Sequence, residues 1–158
     1  MQEALSVIAV CFEGSGFAAF AVSLGFWLVS FRRAKKAGIL DYSMFALHPL
    51  FLMTAVLAGV LLAAAVRYLR NEELIGFRMT IGAAVMLLSL LVWNTGFVTK
   101  TGLFMTGSRC NPLTSRRENG LLVFVPVRQD LRVSKPIVYE NTPENREKFA
   151  SLMQEKAE

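Results

Sequence analysis

Four side chains in this sequence are of types that do chemistry: Glu13, His48, Cys11 and Cys110. Glu13 is the one acid inside a long apolar stretch. A carboxylate so placed suggests ion or proton handling, since carrying it into hydrocarbon is costly. Its position favours a plainer role. Eighteen residues separate Glu13 from Phe31, a helical distance of ~27 Å. Glu13 therefore falls near the edge of the apolar layer, at the level of Arg67, Arg70 and Arg78. An interfacial ion pair with these arginines is expected, and Gly14-Ser15-Gly16 beside it reads as a loosened helix end. His48 is the only histidine. It would titrate near its ordinary pKa of about 6.5 or ligate a metal, but no second ligand stands at usable spacing. Pro49 after it suits the first turn of a helix, where a missing N–H costs little. The two cysteines form no CxxC and no Cys/His pattern, so neither zinc nor a redox site is expected. No catalytic, cofactor or metal constellation emerges, and an enzyme built on His48 or Cys110 would need partners that the sequence does not supply.

The elements that position these residues follow from where charge is missing. Between Ala4 and Phe31 the only charged residue is Glu13; Tyr42–Val66 and Met79–Thr99 contain no Asp, Glu, Lys or Arg. Each window satisfies the ~20 residues needed to cross a ~30 Å hydrocarbon core. A membrane domain over residues 1–98 is expected, with helices at about 4–31, 45–68 and 77–98. The N-terminus has no basic segment, only Glu3, so the first stretch reads as a retained helix and not a secretory signal. The links are short, which makes successive helices antiparallel neighbours.

Orientation follows from the basic residues. Arg32, Arg33, Lys35 and Lys36 fill the first link, and Lys100, Arg109, Arg116 and Arg117 follow the third span. Only Arg67, Arg70 and Arg78 flank the second link. The positive-inside rule puts the C-terminal tail in the cytoplasm and the N-terminus outside, as a multi-pass protein of the cell membrane. Cys11 and Cys110 then belong to different sides and do not pair. The net charge of +5 points to anionic headgroups and not to nucleic acid, because it lies beside apolar spans. Arg32, Arg33, Lys35, Lys36 and Lys100 are the expected headgroup contacts. Helix association in lipid depends on close backbone approach. Gly14/Ala18 and Ala21/Gly25 on the first helix are expected to meet Ala55, Gly59 and Ala63 on the second; the latter stripe also suits a homodimer.

Past Val98 the pattern changes to a tail, residues 99–158. Strands are expected at about 103–106, 121–126 and 137–140, with a polar loop from Arg109 to Gly120. A helix over about 143–156 has Thr142 as N-cap, Pro143 at its first position and Phe149, Leu152 and Met153 as its apolar stripe. The fold class read from the sequence is an α-helical membrane protein, three transmembrane helices plus a small β-meander capped by one amphipathic helix.

Two stretches, Val98-Thr99-Lys100-Thr101-Gly102-Leu103-Phe104 and Pro136-Ile137-Val138-Tyr139-Glu140-Asn141-Thr142-Pro143-Glu144-Asn145, resemble small bacterial membrane proteins with a C-terminal PH-like cytoplasmic domain. The resemblance covers only the tail. It implies a PH-like arrangement of strands closed by a helix, and it carries no activity. Three functions fit these observations. The first is a non-catalytic accessory or regulatory protein, binding a cytoplasmic partner, a second copy or anionic headgroups. The second is a small transporter or channel subunit using Glu13. The third is a membrane enzyme.

Overall fold

The computed structural model describes residues 2–42, 49–128 and 136–153, except for the side chains of residues 49–51. Three of its helices are long and apolar enough to cross a membrane. They are α1 (Gln2–Lys36), α2 (Pro49–Arg70) and α3 (Leu74–Trp93). The chain divides into two compact units, one from residues 1–27 and 45–93, the other from residues 28–44 and 94–158. Helix α1 contributes to both.

In the first unit, α2 and α3 form a tight antiparallel hairpin. The α2 terminus is closed by backbone bonds from Asn71 N to the Arg67 carbonyl (3.1 Å) and from Glu73 N to the Tyr68 carbonyl (3.0 Å). Glu72 turns the chain with a positive φ of 60°. Three residues into α3, Gly76 lets the Tyr68 ring lie against its backbone; a Cβ there would be 2.7 Å from Tyr68 Cδ1. On α1 the contact with α3 is equally close. A Cβ on Gly16 would lie 2.6 Å from the Gly82 carbonyl oxygen. Two turns further along this face, the Ser23 and Ser89 hydroxyls are buried and 2.8 Å apart. The pair satisfies two polar groups that neither lipid nor apolar side chains would. Phe26 then meets Trp93 edge to face, with centroids 5.5 Å apart.

These contacts differ from the packing that spacing suggested. Gly14, Gly25 and Gly59 have nothing within 4 Å of a would-be Cβ. Ala18, Ala21 and Ala63 are exposed, and Ala55 is half-buried. The small residues that α2 does bury are Ala58 and Ala65. Spacings of four recur on several faces of a helix rich in Gly and Ala, so the spacing alone does not select the face; the Gly16–Gly82 approach does.

The helix boundaries also shift. Helix α1 continues five residues past Phe31, because Arg33, Lys35 and Lys36 in its last turn offset the negative end of the helix dipole. It stops at Gly38, whose φ of 77° is a left-handed cap. Helix α3 ends at Trp93 and not near 98, since Gly96–Thr99 is an extended strand.

Among the described residues the second unit holds six strands where three were expected. β1 (Ile39–Asp41), β2 (Gly96–Thr99) and β3 (Gly102–Met105) form one antiparallel sheet in that order; β4 (Leu113–Glu118), β5 (Leu121–Pro126) and β6 (Ile137–Glu140) form another. The segment read as a linker after α1 thus supplies a strand, and the segment read as a polar loop supplies β4. The first sheet is buried on both faces through β2 and β3. The end of α1 covers it: Ser30 Oγ donates to the Met105 carbonyl (3.3 Å) and accepts from Gly107 N (3.0 Å). Phe31 packs on Phe97 at 5.7 Å.

The C-terminal helix is broken in two, α4 (Pro143–Lys148) and α5 (Ala150–Met153), with residues 154–156 outside the described part. Thr142 caps α4, its hydroxyl accepting from Asn145 N at 3.2 Å. The break falls at Phe149, whose ring is fully buried between Phe124 (5.3 Å) and Tyr139 (4.4 Å). Burying that ring matters more than continuing the helix, since an aromatic side chain contributes more than one backbone bond.

Candidate functional site

Basic residues gather at one place in the second unit. Arg32, Arg33, Lys35 and Lys36 are exposed at the end of α1, and β1 follows two residues later. Pairing of β1 with β2 in the register Ile39↔Thr99 brings the β2–β3 turn alongside. Lys100 N donates to the Gly38 carbonyl (3.0 Å). Its methylene stem lies over Gly38, so closely that a Cβ there would be 3.1 Å from Lys100 Cδ. The five residues chosen from charge alone as headgroup contacts are all exposed, four of them in the last five residues of α1 and Lys100 beside the Gly38 that follows it. Clustered ammonium and guanidinium groups attract anions at the surface, each by about 1 kcal/mol beside an anionic membrane.

One polar contact ties the two sheets of this unit together. Tyr139 of β6 donates to Asp41 Oδ2 of β1 at 2.8 Å, and Asp41 Oδ1 accepts from Tyr42 N at 2.8 Å. Burial pushes the Tyr139 phenol well above its ordinary pKa, and the hydrogen bond to Asp41 and its negative charge push the same way. Tyr139 thus stays a neutral donor. Sequence reasoning missed this pair, because Asp41 and Tyr139 lie 98 positions apart.

Glu13 lies in the first unit, 3.6 Å from Arg78, with about a quarter to a third of each side chain exposed. Arg67 and Arg70 are exposed at the end of α2. Of the three arginines placed at the level of Glu13, Arg78 is the one brought to it. Ser15 beside it does not loosen the helix; its hydroxyl returns to the Phe12 carbonyl at 2.8 Å. Cys11 is exposed and Cys110 half-buried, both as free thiols. The Cys110 thiol lies 3.6 Å from the Thr101 carbonyl. His48 lies outside the described residues. Among the described residues, no three His, Cys, Asp or Glu side chains gather as a metal site would require.

No protein family, no curated protein and no solved structure matches this chain, so its function must be argued from the arrangement of its own residues.

Proposed function

We propose that the chain is a small integral membrane protein without a catalytic site, an accessory or regulatory component whose β unit meets anionic headgroups at the cytoplasmic surface. The observation that carries this reading is the exposed cluster of Arg32, Arg33, Lys35, Lys36 and Lys100 at the end of an apolar helix. Large apolar side chains stand open along α1 and α2, among them Val7 at 63%, Leu52 at 62% and Met53 at 67%. Faces of that kind call for a lipid or protein covering. Lipid covers them at no cost in helix packing, and the basic cluster at one end of α1 then sits where headgroups are. The Glu13–Arg78 pair favours a packing role for that carboxylate over ion handling, since its charge is already answered.

The test reverses Arg32, Arg33, Lys35 and Lys36 to glutamate. In proteoliposomes containing phosphatidylglycerol, a fluorescent probe on the β unit should report contact with the surface for the parent chain, weakened by 0.5 M salt. The reversed variant should lose that contact or insert with the opposite orientation. Unchanged surface contact and unchanged orientation would refute the proposal.

A further inference from the structure

Asn119 and Gly120 form the tip of the β4–β5 hairpin. An asparagine ahead of a glycine carries both partners of a covalent reaction. The backbone nitrogen of the second residue attacks the side-chain carbonyl carbon of the first, and proximity makes the attack intramolecular. A folded chain permits this where the carboxamide is accessible, the attacking N–H is free and the peptide between the two residues has room to turn.

The hairpin tip meets these three conditions. Residues 116–121 are exposed. Among the described residues the Asn119 carboxamide makes no hydrogen bond, and neither does the Asn119 carbonyl or the Gly120 N–H. The turn holds both residues at positive φ, 47° and 75°, and ring closure requires the peptide between them to rotate. That peptide is unpinned. The bond from Asn141 N to the Gly120 carbonyl (3.0 Å) belongs to the next peptide along. Gly120 has no Cβ to crowd its nitrogen, and nothing lies within 4 Å of where one would stand.

Each of the other asparagines lacks a condition. Asn111 has both ends of its carboxamide bound to Arg128, Nδ2 donating to the carbonyl at 2.7 Å and Oδ1 accepting from N at 3.0 Å, and Pro112 after it has no N–H. The nitrogens after Asn71, Asn141 and Asn145 are engaged: Glu72 N donates to the Leu69 carbonyl, Thr142 N to that of Glu140 and Arg146 N to that of Thr142. Asn94 precedes Thr95, whose branched Cβ crowds the approach.

We propose that Asn119 is a site of spontaneous covalent modification, deamidating through a succinimide to aspartate and isoaspartate. The Gly120 nitrogen bonds to Asn119 Cγ and gives its proton to water, and the carboxamide nitrogen leaves as ammonia. Water then opens the ring. Cleavage at Cγ yields aspartate; cleavage at the backbone carbonyl yields isoaspartate, in which the main chain runs through Cγ. One water is consumed, one ammonia is released and nothing is oxidised or reduced. Aspartate suits the same turn. Isoaspartate adds a methylene to the main chain, which a two-residue turn does not absorb in the register Glu118↔Leu121.

The test incubates the full chain in neutral detergent at mildly alkaline pH and then digests it with trypsin. Residues 118–128 come away as a fragment in which Asn119 is the only asparagine. This fragment should gain the mass of NH replaced by O and split into two chromatographic isomers, while fragments carrying Asn71, Asn94 and Asn111 stay unmodified. Gly120→Ala should slow the conversion about tenfold, since its Cβ crowds the attacking nitrogen. Alanine also strains the turn, so the same pair of sequences is compared as synthetic peptides of residues 118–128, where the slowing should persist. An unmodified fragment from the folded chain, over the time in which the synthetic peptide converts, would overturn the proposal. So would faster conversion at any other asparagine, or a mass gain without isoaspartate.

Discussion

Tyr139 and Asp41 show how one polar pair conditions the β unit. The phenol is held neutral by burial and by a carboxylate at 2.8 Å. In the unfolded chain it ionises from about pH 10; in the folded chain its pKa lies higher. The stability that follows from this difference is complete below pH 10 and declines as pH rises beyond it. Tyr139→Phe removes the hydrogen bond, which should cost about 1–2 kcal/mol at pH 7. The same substitution should flatten the alkaline decline. Unfolding of the purified protein followed by near-ultraviolet circular dichroism from pH 7 to 11 measures both. An unaltered alkaline slope in Tyr139→Phe would show that another group governs it. Neither partner announces the pair in the sequence: an Asp after Ile39-Leu40 and a Tyr after Ile137-Val138 are ordinary strand ends.

Elements were legible where one local signal dominated. Charge-free length marked the three helices, and Thr142-Pro143 marked the start of α4 to the residue. The hairpin joining β4 to β5 carried a signal that polar composition hid. Asn119 and Gly120 both have positive φ, 47° and 75°, the conformation of a two-residue turn for which Asn-Gly is favoured. Arg116, Arg117 and Glu118 before it made the strand look like a loop. Helix faces were less legible, and here a substitution separates the alternatives. Gly16→Leu should destabilise the helical unit strongly, because a Cβ at that site already meets the Gly82 carbonyl at 2.6 Å. Overpacking of this kind costs roughly 1–3 kcal/mol or more. Gly59→Leu, on an open face, should be nearly neutral. Thermal unfolding in detergent compares the two, and the reverse ranking would mean that α1 and α3 do not meet at Gly16.

At the scale of the whole molecule, the positive-inside rule applied to the basic residues predicts an orientation. The second unit contains Arg32, Arg33, Lys35, Lys36, Lys100, Arg109, Arg116 and Arg117, whereas the α2–α3 hairpin carries Arg67, Arg70 and Arg78 around Glu72 and Glu73. In a Cys11→Ser background, which removes the exposed thiol of α1, an impermeant maleimide should therefore label the half-buried Cys110 thiol in inverted vesicles only. In right-side-out vesicles labelling should wait for permeabilisation, and Cys110→Ser should abolish it. Immediate labelling in right-side-out vesicles would reverse the orientation proposed for the chain.

Length and charge in the sequence were enough to determine three apolar helices, their short connections, the basic cluster at the end of α1 and the capped start of α4. Each depends on contiguous residues, where solvation and backbone geometry act locally. Tertiary structure alone decided which glycine touches which helix, that the link after α1 becomes an edge strand, that α3 stops at Trp93, and that Phe149 breaks the last helix. Those outcomes depend on what lies opposite each residue, and partners as distant as Asp41 and Tyr139 or Gly16 and Gly82 meet only when burying them together is worth more than the local preference each one gives up.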